Sequence, residues 1–184
     1  MINGKMYTVD TMNNLPPQLK LETISVHQDD DYTFYFGKDC PLSNFYPSPF
    51  DIHGLHFNCS EQYLQFTKAK LFSDEVGAGK ILAANYPREQ KSLGREVAGF
   101  NWDTWSKSAP DLIKRGLLQK FIQNENIKEY LLQTKETEIV ECSVRDRFWG
   151  IGLSVSTNEK LEKEKWSGKN MMGKLLCQIR SDIL

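Results

Sequence analysis

The chain has 184 residues, of which 40% are hydrophobic and 26% charged, enough for one folded domain, or one domain with an extension, and a sizeable core. A net charge of −1 excludes any electrostatic argument for a nucleic-acid or membrane partner. No apolar run approaches ~18 residues and no basic-then-apolar leader opens the chain, so neither a membrane span nor export is expected, and a cytoplasmic location follows.

Residues 1–30 read as an N-terminal extension, and 31–184 as the main domain. Asn13, Asn14, Pro16 and Pro17 break any regular pattern. Leu21 to Val26 suit an edge strand, and Gln28 to Asp31 a solvated polar link. The aromatic and β-branched run Tyr32 to Phe36 predicts a strand. Three prolines then forbid regular structure between Cys40 and Phe50, where an Ω-type loop tied down by its own aromatics leaves Ser43 and Asn44 to present hydrogen bonds. Asp51 to Gly54 reads as a turn and Leu55 to Phe57 as a short strand.

The central helix is expected over Ser60 to Phe72, with Ser60 as N-cap. At about 100° per residue, Glu61, Gln65, Lys68 and Phe72 share one stripe, flanked by Leu64, Leu71 and Ala69. Tyr63, Phe66 and Lys70 point elsewhere. An acid, an amide and an amine inside an apolar margin are either a solvated surface stripe or the wall of a pocket, because burial of such groups is costly without partners. A second helix is expected from Ser73-Asp74 through Ala84, interrupted by Gly77 and Gly79, and a third from Pro87 through Val97. Asn101 to Trp105 reads as a turn. A fourth helix is expected to open at Ser108, with Pro110 early and Asp111 three residues after the cap. Further on, the pattern predicts a short helix over 127–133, a strand over 138–143, and a turn-rich stretch over 145–152. Residues 157–165 form a charged run, read as a solvated loop or frayed helix, and a last helix spans about Met171 to Asp182. The fold class is α+β and helix-rich, with a small sheet of about three short strands.

Cys40, Cys59, Cys142 and Cys177 form no C-x-x-C pair, and His27, His53 and His56 make no ligand pattern with them. Reduced thiols, no metal and no cofactor are expected.

Several stretches together resemble the NADAR family, also called YbiA-like or RibX-like N-glycosidases. They are Leu42-Ser43-Asn44-Phe45; Ser60-Glu61-Gln62-Tyr63 with Gln65, Lys68 and Ala69; Leu93-Gly94-Arg95; Trp105; Lys120-Phe121; Asp146 with Trp149-Gly150-Ile151-Gly152; and Gly168-Lys169-Asn170 with Gly173. The resemblance runs in order from about Phe34 to Arg180. It implies a single compact domain of about six to eight helices with a small β element, and cleavage of the C1′–N bond of a riboside. The implied substrates are ADP-ribosylated guanine, free or in single-stranded DNA, and phosphoribosylaminopyrimidine intermediates of riboflavin synthesis. A non-catalytic ADP-ribose or NAD sensor is the competing class.

Such a reaction needs a proton for the leaving nitrogen, charge stabilisation at C1′ and an activated nucleophile. Glycoside cleavage generally uses two carboxyl groups for this. The resemblance places Glu61 and Asp146 in that role, with general acid/base and stabiliser assignable either way. Lys68 is either a cation for phosphate or for Glu61, or a nucleophile that forms a Schiff base at C1′. Trp105 and Trp149 are stacking surfaces or core; Trp102 and Trp166 are taken as structural. Arg95 suits phosphate or ribose hydroxyls, or else an ion pair at a helix end. Lys169 and Asn170 precede a helix whose free backbone N–H groups would attract an anion. Gly150 and Gly152 either admit a ligand to the backbone or make a turn. Asn44 and Gln65 complete the substrate-binding set. Glu61, Lys68 and Asp146 are expected to share one cavity.

Overall fold

A computed structural model of the chain describes residues 26–184. In chain order these form β1 (Val26–Gln28), β2 (Tyr32–Tyr35), β3 (Phe50–Ile52), β4 (Leu55–Phe57), α1 (Ser60–Leu71), α2 (Glu75–Ala83), α3 (Pro87–Arg95), α4 (Trp102–Ile122), α5 (Glu125–Leu132), β5 (Glu138–Glu141) and α6 (Met171–Asp182). The fold is α+β and helix-rich. Residues 21–25 of the expected edge strand lie outside the described residues; Val26, its last member, begins β1.

The chain divides into two compact units, one holding residues 26–43 and 126–184, the other residues 44–125. In the first, β2 lies between β1, antiparallel, and β5, parallel, with Phe34 opposite Val140. Phe34, Val140, Cys142, Ile151 and Val155 make its core, and Trp166 packs edge-on against Tyr32. The charged run over 157–165 is more ordered than its composition suggested. It forms two 3₁₀ turns, Asn158–Leu161 and Lys163–Lys165. Lys160 is buried there: its Nζ lies 5.3 Å from the centroid of the Phe34 ring and donates to the Thr157 carbonyl at 3.0 Å, so the cation meets an aromatic face and a backbone acceptor.

In the second unit α1 packs against α2, α3 and α4. The β3–β4 hairpin turns at His53-Gly54, both with positive φ, the conformation that two-residue hairpins need. Its Phe50 and Phe57 rings stack and meet Tyr63 and Phe66 of α1. Two boundaries differ from expectation. Helix α3 stops at Arg95, short of Val97. Helix α4 starts at Trp102, where a turn was expected, capped by the Asn101 side chain, which accepts from the Thr104 N–H at 2.9 Å. Pro110 therefore lies inside a 21-residue helix. A proline removes one backbone rung, yet burial of Trp105 and Ala109 before it and Ile113, Leu117 and Phe121 after it carries the helix through.

None of the four cysteines forms a disulfide; Cys40, Cys59 and Cys142 are buried and Cys177 half-buried. Burial pushes the Cys59 thiol up to about 11 and the Cys142 thiol to about 12. Among the described residues no group of His, Cys, Asp and Glu is arranged to hold a metal ion. No helix among them is long and apolar enough to cross a membrane.

Candidate functional site

The start of α1 is fixed from outside the helix. Cys59, not Ser60, is its N-cap, and no side chain caps it. Instead the Asn44 carbonyl takes the Glu61 N–H at 2.9 Å, and Oε1 of Gln62 takes the N–H of Asn58 at 2.8 Å. The Gln62 amide nitrogen is directed at the carbonyls of Ile81, Leu82 and Ala84, which the end of α2 leaves open. From α3, Gln90 accepts from the Cys59 thiol at 3.2 Å and donates to Asn58 and Ala84. These bonds hold the first turn of α1 in place.

Glu61 stands in that turn, only 3% exposed, where the helix dipole favours a negative charge. Its Oε1 accepts from Nε2 of Gln65, one turn on, at 2.7 Å. Gln65 is itself buried, and its Oε1 has no hydrogen-bond partner. It lies against the backbone of α3 at Gly94, where any β-carbon would stand 1.8 Å from that oxygen. The Leu93-Gly94-Arg95 motif thus has a packing reason: α1 and α3 close onto one another at Gly94. On the other side of α1, the Tyr63 ring fills the space above Gly116 of α4, and its hydroxyl donates to the Leu112 carbonyl at 3.1 Å. The Asn44 side-chain oxygen is also buried without a hydrogen-bond partner.

Lys68 lies two turns beyond Glu61, about 10.5 Å along the axis. The amine is half-buried, 5.3 Å from the centroid of the Phe100 ring, and that ring packs edge-on against Phe72. Burial lowers its pKa from 10.5 to about 8; Glu61 pulls it back up, while the charges of Lys91 and Arg95 push it down further. At pH 7 roughly one Lys68 amine in ten is neutral, against about one in three thousand for an ordinary lysine.

Beside this helix is a cleft of about 290 Å³ lined by Phe45, Arg88, Lys91, Ser92 and Arg95. Of these, Arg95 alone was expected as a substrate contact, and Phe45 was named only within the Leu42–Phe45 motif. The signal was present: residues 88, 91, 92 and 95 follow the i, i+3, i+4, i+7 spacing that puts four side chains on one helical face. Phe100 was likewise missed. Trp105, expected as a stacking surface or core, is 3% exposed within α4.

In the other unit, Oδ1 of Asp146 accepts from the N–H groups of Phe148 and Trp149, at 3.0 and 2.8 Å, and so shapes the corner that follows. Trp149 is half-buried with its ring edge-on to Phe148. Gly150 is buried so closely against β5 that a β-carbon would stand 2.8 Å from the Glu141 carbonyl, and Gly152 turns with φ 77°. The backbone donors at the start of α6 are not free, which corrects the anion-binding expectation there. Lys169, Asn170, Met171 and Met172 give their N–H groups to the carbonyls of Arg147, Gly150, Phe148 and Trp149. The Asn170 side chain is spent on β5, accepting from Glu141 N–H at 3.1 Å and donating to the Ile139 carbonyl at 2.9 Å. Lys169 is exposed and lies 5.8 Å from the Phe148 ring centroid.

The chain is 34% identical over 166 residues to N-glycosidase R617 of Acanthamoeba polyphaga mimivirus, covering 84% of this chain and 98% of that one. It is 33% identical over 168 residues to Protein irg-1 of Caenorhabditis elegans, covering 83% and 79%. The solved structure of Escherichia coli YbiA superposes with a TM-score of 0.69 over 87% of this chain and 89% of that one, at 24% identity, which establishes the shared fold. The NADAR domain model matches residues 33–184, and the chain belongs to the NADAR family.

Proposed function

We propose that this protein is an N-glycosidase that hydrolyses the C1′–N bond between ribose and the amino nitrogen of a base. The observation that carries this reading is the Glu61–Gln65–Lys68 face of α1. A carboxyl group is buried and oriented by a 2.7 Å hydrogen bond, on the same face as an amine whose pKa is lowered to about 8. The names of the relatives support the same reaction class.

In the mechanism these groups favour, the ribose ring opens to the imine of the base nitrogen, and the neutral Lys68 amine adds at C1′. The bond from C1′ to the base then breaks, its electron pair leaving on the base nitrogen, which takes a proton from Glu61. Water hydrolyses the resulting lysine imine to the free aldose and restores both groups. Asp146 is assigned as the second carboxyl group on the strength of the family resemblance; its Oδ1 accepts from the Phe148 and Trp149 N–H groups. Asn44, whose buried side-chain oxygen lacks a partner, is assigned to the sugar or base, and Trp149 and Lys169 to the substrate's periphery. ADP-ribosylated guanine, free or in single-stranded DNA, and phosphoribosylaminopyrimidines are the substrates to assay.

The test is release of free base from each substrate by wild type, Glu61→Gln and Lys68→Ala, with borohydride present in a parallel set. Turnover lost by at least a hundredfold in Glu61→Gln with unchanged melting, and a reduced adduct that disappears in Lys68→Ala, is the expected result. Wild-type rates in Glu61→Gln would remove the proposal.

A further inference from the structure

The ring of Phe100 stands beside Lys68, yet the reaction described above makes no use of it. It is 44% exposed, with its centroid 5.3 Å from the Lys68 amine. A lone exposed phenylalanine is ordinary on a protein surface and by itself needs no explanation. This one is held in place. On its inner side it packs edge-on against Phe72, centroids 5.4 Å apart and planes at 66°. Phe72 in turn packs against the buried group Ala69, Ala78, Ile81 and Val97. The backbone on either side is anchored as well. Two residues earlier, the Ala98 N–H donates to Oδ2 of Asp74 at 3.0 Å, while Oδ1 of the same carboxylate accepts from the Gly77 N–H to cap α2. One residue later, Asn101 caps α4. Between these anchors Gly99 takes φ 67°, a turn that glycine makes without strain.

The position relative to the chemistry gives this ring a use. An attacking amine comes within roughly 3–3.5 Å of C1′, and the base nitrogen lies one bond beyond. Aromatic rings pair with their centroids ~4.5–7 Å apart. A ring whose centroid is 5.3 Å from the Lys68 amine is therefore within stacking reach of a base joined to C1′. A phenyl ring carries no hydrogen-bonding group, so it sorts bases by flatness and overlapped area alone. Area favours a base of two fused rings over a base of one. The exposure of the ring also leaves the outer edge of such a base in solvent. Trp105, the tryptophan of the same unit that was expected to stack, is 3% exposed and has no comparable open face.

We propose that Phe100 is the wall against which the departing base stacks, and that it makes the site favour bicyclic bases over monocyclic ones. The inference rests on the glycosidase reading and narrows it: of the substrates to assay, it selects the guanine conjugates over the aminopyrimidines. Covering the Lys68 amine is a different use of the same ring. Leucine separates the two, since it covers the amine but has no flat face.

Isothermal titration of the full chain, carrying Glu61→Gln to suppress turnover, tests this with two ligand pairs. One is ADP-ribosylated guanosine against ADP-ribose, the other a phosphoribosylaminopyrimidine against ribose 5-phosphate. Within each pair the ratio of affinities is what the base contributes. The guanosine ratio should be about tenfold or more and should exceed the pyrimidine ratio. Phe100→Ala and Phe100→Leu should each remove most of the guanosine ratio, and Phe100→Trp should preserve it. Affinity for ADP-ribose should stay the same in all three variants. A guanosine ratio left unchanged by Phe100→Ala, or no larger than the pyrimidine ratio, overturns the proposal even if the wild type cleaves ribosides. So does a complete failure to bind ADP-ribosylated guanosine, or a parallel loss of ADP-ribose binding in Phe100→Ala. A ratio lost in Phe100→Ala but kept in Phe100→Leu assigns the ring to covering the amine and also overturns stacking. The expected pattern in a chain whose wild type releases no base from any of these ligands upholds the wall and overturns the glycosidase reading.

Discussion

Gln65 and Gly94 compete for the same volume: a β-carbon at Gly94 would stand 1.8 Å from Oε1 of Gln65, 2.3 Å from Cδ and 2.8 Å from Cγ. The other end of that amide donates to Glu61. A substitution on α3 therefore reaches the proposed acid through one intervening side chain. Gly94→Ala forces Gln65 to swing away, and the hydrogen bond to the carboxylate is lost. Bonds to charged groups contribute ~1.5–3 kcal/mol, so kcat/KM should fall ten- to a hundredfold. Because the displaced atoms are the end of a flexible chain, the melting temperature should change little. In the double variant Gly94→Ala/Gln65→Ala the clash is gone, and activity should match Gln65→Ala alone. Additive losses would show that Gly94 acts by another route.

Lys68 should titrate unlike the surface lysines. Reductive methylation followed by mass spectrometry of the Lys68 peptide, across pH 6–11, is expected to show a midpoint at about 8. Lys91 lowers that value, so Lys91→Gln should move the midpoint up. The effect on folding has a definite sign. The folded pKa lies below that of the unfolded chain, so between about 8 and 10.5 the unfolded state binds more protons, and stability rises with pH across that window. Lys68→Met should remove this rise and raise the urea midpoint at pH 7. A lower midpoint would mean that the amine is held by partners that burial does not reveal.

Much of this arrangement is legible in the chain itself. The 3.6-residue spacing places Glu61, Gln65 and Lys68 together, because α1 contains no glycine or proline to disturb the count. What spacing cannot reveal is which neighbour faces the stripe. Gln65 owes its burial to Gly94, and Lys68 its lowered pKa partly to Lys91 and Arg95, both on another helix. Pro110 misplaced the start of α4, since a proline near a Ser-x-x-Asp pattern looks like a first turn, whereas buried apolar residues on both sides override it. The donors of α6 looked open because sequence does not show that the 147–150 carbonyls fold back onto them.

Gly116 offers a test of packing apart from chemistry. A β-carbon there would meet Cδ1, Cε1 and Cγ of Tyr63 at 2.2, 2.3 and 2.8 Å. An aromatic ring enclosed by Phe50 and Phe57 cannot fold aside as Gln65 can. Gly116→Ala should therefore destabilise by about 1–3 kcal/mol, lowering the melting temperature by several degrees. Catalysis by the folded fraction should be less affected than in Gly94→Ala. Calorimetry and kcat on the same preparations compare the two.

Asn170 was a candidate substrate contact, and its geometry argues for a different measurement. It caps α6 from the left-handed region, φ 49°, with both ends of its amide engaged by the edge of β5. At 1% exposure, removing the amide leaves a buried N–H and a buried carbonyl without partners, at about 1–3 kcal/mol each. Asn170→Gly separates the two contributions, because glycine takes the positive φ without strain while losing both bonds. It should lower the denaturation midpoint substantially, and hydrogen exchange at the Glu141 amide should accelerate, with KM for the riboside little changed. A variant that folds with wild-type stability but binds substrate at least tenfold more weakly would reverse the assignment and make Asn170 a contact to the ligand.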